Sequence, residues 1–414
     1  MSHSQKVKVT GLLFLAIMTI GMFALTPLGA FWLHLGGKNA DAASSLPYHE
    51  FADGPYHVQG NTIVGADGKP YLFHGVGRDS LEFDCNGDGF LDAAHLTFIG
   101  PGNDSGGTNW YANTVRLPVS EGFWLHGNAA QLNCTPANYQ ALVKNTINTL
   151  TALKLNVILD LQWTDAGGQN TGSGAGYEMP DADSITFWSQ AAKVYASYSN
   201  VLFELYNEPH PPTFACWAAP TCAITNDTTA GGNVSYTGVS IQSLVNAVRG
   251  AGANNLALVA GINWGFDLSQ LSSYPITGSN IVYDSHPYPY GGKDTTAEWD
   301  AAFGYLTSKY PVMSAEFGEY DGNSSFESMA VNYFDQHMMG WTAWAWYNTG
   351  GSAISKTGYP QLVSDYNGTP LASMGTYIYQ QLLNYAGVKP PTPTPTQSPV
   401  SKVWYFAEGR VGAG

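Results

Sequence analysis

The stretch Val201-Leu-Phe-Glu-Leu-Tyr-Asn-Glu-Pro-His210 decides the reading of the chain. It opens as an apolar run of strand length and stops abruptly in polar residues. Read outward from it, the same form recurs along the core. Strands are expected at Tyr71–Gly77, Asn113–Pro118, Asn156–Leu161 and Val201–Asn207, then at Asn255–Gly261, Asn280–His286, Pro311–Phe317 and Gly340–Trp346. Apolar residues at i, i+3 and i+4 predict helices between and after them, over Tyr139–Leu153, Ser184–Tyr195, Val239–Arg249, Trp299–Tyr310, Ser325–Met339 and Met374–Ala386. Strands that alternate with helices predict a parallel sheet, because parallel neighbours need a crossover. Eight of them predict the α/β class and a closed (β/α)₈ TIM barrel as a single domain.

The polar residues fall where such a barrel wants them. Strand ends carry Arg116, Gln162 with Trp163, Asn207 with Glu208, Asn263 with Trp264, His286 with Tyr288, Glu316, and Trp346. The C-terminal face of a barrel of this kind holds the active site. Glu208 and Glu316 stand on separate strands of that rim, among aromatic residues. Two such acids suit cleavage of a glycosidic bond, which needs a proton for the leaving oxygen and an anion at the oxocarbenium-like carbon. One acid must then keep its proton near neutrality while the other stays ionised. Glu204 shares the inward face of its strand with Glu208 and is expected to be a structural partner of Arg116. Trp110, Trp124, Trp163, Trp264 and Tyr290 are candidate sugar platforms, with hydrophobic packing as the alternative for each.

Composition narrows the partners. The 414 residues hold 16 Lys and Arg against 31 Asp and Glu, a net charge of −15, which disfavours nucleic acid. Aromatic residues make up 13% of the chain, which suits a flat hydroxylated ligand and excludes general disorder. Lys6 and Lys8, an apolar run from Gly11 to about Leu35, and Ala40-Asp41-Ala42 have the order of a secretory signal over residues 1–42. An uncleaved membrane anchor is the alternative, because the run is long enough to span a bilayer. A secreted, extracellular protein is expected, with Cys85 paired to Cys134 and Cys216 to Cys222. The globular domain is expected over 45–387, a Pro/Thr-rich linker over 388–402, and the start of a truncated further module over 403–414. A monomer is the expected state.

Asp84-Cys-Asn-Gly-Asp-Gly-Phe-Leu-Asp92 is close to a calcium loop, offering Asp84, Asn86, Asp88 and Asp92. His95 stands where calcium needs a bidentate Glu, so no cofactor is expected and calcium is the minor alternative. No phosphate loop, Ser-centred elbow or H-E-x-x-H occurs.

Asn207-Glu208-Pro209 after the fourth strand and Glu316 on the seventh, with Arg116, His286-Pro-Tyr288 and Trp346 in order, resemble glycoside hydrolase family 5, the cellulase-type retaining barrels. The resemblance covers about Gly60 to Ala386. It implies Glu208 as acid/base, Glu316 as nucleophile, and Asn207 on the sugar 2-hydroxyl. It also implies that His286 and Tyr288 orient the nucleophile and that Arg116 lies beneath it. Trp346 would be the sugar platform, with Trp344 as the competing choice. Many members carry His where this chain has Gln162, which keeps a donor and an acceptor but no charge. The implied activity is endo-β-1,4-glucan hydrolysis. The alternatives are mannan, β-1,3-glucan or a glycolipid by the same mechanism, or a non-catalytic carbohydrate-binding barrel, for which the intact acid pair would serve no purpose.

Overall fold

Strands buried on both faces read as short apolar runs, and the described residues hold eight of them. In the computed structural model they are β3 (His74–Gly77), β4 (Thr114–Ser120), β5 (Asn156–Trp163), β6 (Val201–Glu204), β9 (Ala257–Ala260), β10 (Ile281–Asp284), β11 (Val312–Phe317) and β12 (Gly340–Ala343). Neighbours pair in parallel and β12 pairs back onto β3, so the sheet closes as a barrel in chain order. The residues described are 51–388, without 103–107, 167–173, 230–231, 320–322 and 347–359. The expected signal segment, linker and further module lie outside them. Among the described residues no helix is long and apolar enough to cross a membrane.

Two hairpins are additions to the expected plan. β1 (His57–Gln59) and β2 (Thr62–Val64) precede the barrel, and β7 (Thr221–Asp227) and β8 (Val234–Val239) are inserted between β6 and β9. The long helices Pro136–Ala152, Ala182–Tyr195, Ile241–Gly250, Ser325–Gln336 and Met374–Tyr385 fall where the periodicity placed them. The expected helix Trp299–Tyr310 is shorter: an α-helix covers Thr296–Ala302, followed by a 3₁₀ turn at Gly304–Leu306. Local caps explain the boundaries. Asp181 and Ser184 form a reciprocal capping box at one helix start, and Thr295 and Glu298 form another.

Alternation along the strands separates two cores. Leu159, Phe203, Val259 and Phe317 face outward and pack under the helices. Ile158, Leu202, Leu258, Val282, Met313 and Ala315 face inward, where Tyr56 and Ile63 from the N-terminal segment join them. The lower barrel is therefore an apolar floor sealed by β1–β2. Polar inward positions begin one rung higher, at Asp160, Glu204 and Asp284, all fully buried.

Strand β11 breaks the alternation. Its register against β12 shifts between Ser314 and Phe317. Ala315 faces the floor and Phe317 the helices, so strict alternation would give Glu316 no inward seat. The irregularity turns Glu316 inward as well, which is how bulges re-aim a side chain. The backbone N–H of Ala315 donates to Asp284 Oδ1 at 2.8 Å instead of to the ladder.

Candidate active site

The site is built around one buried cation. Arg116 is completely shielded from solvent, and its planar fork has a partner on every side. Nε donates to Glu204 Oε2 at 2.6 Å and Nη2 to Glu204 Oε1 at 2.7 Å, a bidentate pair. Nη2 also reaches Asn207 Oδ1 at 2.7 Å, and Nη1 reaches Glu316 Oε2 at 2.6 Å. Asp160 Oδ2 lies 3.0 Å from Nη2. Burial opposes the charge on Arg116, but Asp160, Glu204 and Glu316 outweigh it and raise its pKa well above the ordinary value. Burial likewise pushes Glu204 up, but Arg116 overcomes it and holds this carboxyl below its usual range. For Asp160 burial wins over Arg116, with Glu204 and Glu316 adding repulsion, and its pKa is well raised.

Glu316 is held from two sides, by Arg116 and by Tyr288, whose hydroxyl donates to Oε1 at 2.8 Å. Burial raises its pKa; Glu208 adds to that, while Arg116, His286 and Tyr288 act against it. Glu208 is more open, its side chain one-fifth exposed, and its Oε1 lies 3.3 Å from His286 Nδ1. The other ring nitrogen of His286 faces Asp284 Oδ2 at 3.2 Å and Glu204 Oε1 at 3.5 Å. Burial disfavours the imidazolium, but Asp284, Glu204 and Glu208 together raise His286 well above its ordinary pKa. Ligand atoms of Glu208, His286 and Glu316 all lie within 4.8 Å of one another.

Beyond Glu208 the rim turns aromatic. Asn263 and Trp264 both have left-handed backbone, with φ of 57° and 59°. Their turn is pinned by Lys293, whose Nζ donates to the Asn263 carbonyl at 2.7 Å. Burial brings Lys293 down to about 8, against the pull of Glu208. Trp264 is 43% exposed and lies flat on the ring of His210, with centroids 3.6 Å apart. His210 in turn donates from Nδ1 to the backbone carbonyl of Glu208 at 2.8 Å.

A model of the cellulase family, glycosyl hydrolase family 5, matches residues 105–350. The chain belongs to glycosyl hydrolase family 5. An endoglucanase of Clostridium saccharobutylicum is 21% identical over 335 residues, covering 80% of this chain and 65% of the relative. Endoglucanase E-5 of Thermobifida fusca is 24% identical over 346 residues, covering 80% and 64%. The chain thus spans just under two thirds of the length of these relatives. A beta-glucanase of Saccharophagus degradans, solved in complex with cellotetraose, has the same fold at 20% identity, with a TM-score of 0.58 over 82% of this chain and 98% of that one.

Several expected residues of this family 5 chain stand elsewhere than their expected roles require. Trp346 is 1% exposed and meets Trp110 edge to face at 5.0 Å, so it belongs to the core. Trp344 is the tryptophan beside the site, its ring 5.6 Å from the Arg116 guanidinium. Gly77 makes room for it, since a Cβ there would sit 2.5 Å from the Trp344 ring. Trp110 and Trp124 are buried packing residues, whereas Trp163 is half-buried and Trp264 and Tyr290 are exposed. His286 hydrogen-bonds Glu208 and Asp284, not Glu316, which it was expected to orient. Gln162 is half-buried, and its Oε1 has no hydrogen-bond partner among the described residues.

The acidic loop that resembled a calcium site is engaged by the protein. Asp88 pairs with Arg78 at 2.7 Å and accepts from the Tyr366 hydroxyl, and Asp92 caps the helix Ala93–Leu96. Both expected disulfides are present. Sequence reasoning missed Asp284, Lys293 and His210 as members of the site. Asp284 lies two residues before His286 on the inward face, and that period of two was the available signal.

Proposed function

We propose that this protein is a secreted retaining endo-glycosidase acting on β-1,4-glucan, with Glu316 as nucleophile and Glu208 as acid/base. The observation that carries the reading is the carboxyl pair, with oxygens of Glu208 and Glu316 within 4.8 Å of each other. Retaining enzymes hold their carboxyl groups about 5–5.5 Å apart, whereas inverting enzymes leave about 6.5–9.5 Å for a water. Glu316 accepts hydrogen bonds from Arg116 and Tyr288, which favours its anion as the attacking group. Glu208, on the open side, protonates the leaving oxygen and then takes a proton from the water that releases the glycosyl-enzyme. Asn207, held by Arg116, is assigned the sugar 2-hydroxyl. Gln162, Trp163, Asn263, Trp264 and Trp344 are assigned to the walls of the cleft.

The similarity to endoglucanases supports the glucan substrate, and the two disulfides support an oxidising compartment. On this reading residues 1–42 are a secretory leader, 45–387 the catalytic domain, 388–402 a linker and 403–414 the beginning of a further module. The test is reducing-sugar release from carboxymethyl cellulose, with β-mannan and β-1,3-glucan alongside, for the protein and its Glu316→Gln variant. Activity on the cellulose derivative that vanishes in the variant is expected, with the β-anomer formed first. First formation of the α-anomer would overturn retention, and activity confined to another polymer would move the substrate. Glycan binding without hydrolysis would make the barrel a binding module.

A further inference from the structure

A second polar cluster lies away from the acid pair, at the ends of β4 and β5. Glu121 opens the short helix Glu121–Leu125 directly after β4, and Asp165 follows β5 by two residues. Asp181 caps the helix Ala182–Tyr195, and Asp183 lies in its first turn. Oxygens of Glu121, Asp165 and Asp181 fall within 4.8 Å of one another, and so do ligand atoms of His126, Asp165 and Asp183. Asp165 belongs to both triplets and joins them. His126 Nε2 stands 3.2 Å from Asp183 Oδ2 and 3.7 Å from Asp165 Oδ2.

Glu121 separates this cluster from an ordinary acidic patch. Its side chain is completely buried, and only one of its oxygens is satisfied, Oε2 accepting the Ser184 hydroxyl at 2.5 Å. Oε1 is buried with no hydrogen-bond partner, although the carboxyl faces Asp165 and Asp181. An unsatisfied buried carboxyl oxygen is uncommon in a native protein, and an ion is one of its few explanations.

We infer that these residues form a divalent-cation site, with Glu121, Asp165 and Asp181 on its inner side and His126 and Asp183 on its outer side. Within each triplet, ligand atoms up to 4.8 Å apart can share one ion, because cation–oxygen lengths run from about 2.1 to 2.6 Å, and Asp165 is common to both. Carboxylates with one imidazole suit manganese better than a purely oxygen-loving ion. His126 and Asp183 are each about one-third exposed in their side chains, which gives the ion a path from solvent. The ion fastens the end of β4, the segment after β5 and the start of a helix to one point. That segment begins immediately beyond Gln162 and Trp163, so the site is a clamp behind the cleft and not part of the bond-breaking machinery. The inference is independent of the glycan reading.

The full-length protein, stripped with EDTA and desalted, is titrated with MnCl2, following free Mn²⁺ by electron paramagnetic resonance and the melting temperature in parallel. CaCl2 and MgCl2 are compared by calorimetry. One Mn²⁺ per chain and a raised Tm are expected. His126→Ala and Asp183→Asn, at the outer side, should weaken binding at least tenfold while leaving the metal-free Tm unchanged, and Glu121→Gln should weaken it as well. Glu316→Gln should leave it intact, which separates this site from the Glu208–His286–Glu316 group. Stoichiometric uptake of Ca²⁺ in place of Mn²⁺ upholds the site and changes only the ion. No stoichiometric uptake of any of the three ions by the folded protein would overturn it. So would binding that survives His126→Ala and Asp183→Asn but is lost in Glu316→Gln.

Discussion

His286 holds Glu208: its Nδ1 lies 3.3 Å from Glu208 Oε1, while its opposite nitrogen rests on Asp284 Oδ2 at 3.2 Å. The same Asp284 accepts the Ala315 N–H at the irregularity that turns Glu316 inward. One buried acid therefore supports both members of the pair, the first through an imidazole and the second through the backbone.

Because His286 binds its proton more tightly folded than unfolded, its stabilising effect has a definite sign with pH. The folded value is raised well above 6.5, so the contribution is complete below about 6.5 and is lost as pH rises through that folded value. The Tm difference between the protein and its His286→Gln variant should shrink on the alkaline side. A difference that grows with pH in thermal scans would contradict the charge assignment.

On the proposed mechanism, Glu208→Ala removes the proton donor and spares the nucleophile. Hydrolysis of cellulose derivatives should fall by about 10²–10⁴. Aryl glycosides whose leaving groups need no proton should still glycosylate the enzyme. Azide should then accelerate turnover and yield the β-glycosyl azide, identified by nuclear magnetic resonance.

The two neighbouring tryptophans should separate by phenotype. Trp344→Ala removes a buried ring beside Arg116 and should lower kcat/KM more than its loss of stability accounts for. Trp346→Ala empties a core position against Trp110 and should destabilise the fold by about 3–5 kcal/mol in denaturant titrations.

Arg116→Met strips the cation from Glu204, Glu316 and Asp160 at once. Removing one member of a buried ion pair costs about 3–5 kcal/mol, so a large fall in the guanidinium chloride midpoint is expected. Arg116→Lys should recover only part of it, because an ammonium cannot reproduce the bidentate grip on Glu204.

The disulfides differ in the loops they close. Cys85–Cys134 spans 49 positions and Cys216–Cys222 spans six. Chain entropy assigns about 4 kcal/mol to the first and about 2 kcal/mol to the second. Paired Cys→Ser variants should rank in that order in chemical unfolding.

The barrel was legible because a strand covered on both faces must be a short apolar run, and eight such runs ended in polar residues. The pairing of Glu204 with Arg116 was legible for a similar reason, since an inward acid below the rim needs a cation. The hairpin β7–β8 was not, because Thr221–Asp227 is mostly solvent-facing and polar, and reads as loop. Trp344 and Trp346 share a face only while a strand continues, and β12 stops at Ala343. Asn207-Glu208-Pro209 announced one carboxylate, but the inward turn of Glu316 depends on a register shift that residue types do not record. His286 was assigned to the wrong carboxylate for a comparable reason, because distance across the barrel mouth is not a sequence quantity.

The apolar floor closed by β1 and β2 gives the charged residues above it a single door. Among the described residues the floor beneath Arg116 is apolar and buried, so the polar approach to the network is from the mouth. A saccharide settling into that mouth would act as a stopper as well as a reactant. The act of loading the barrel would then itself dry the charges and sharpen every interaction among them.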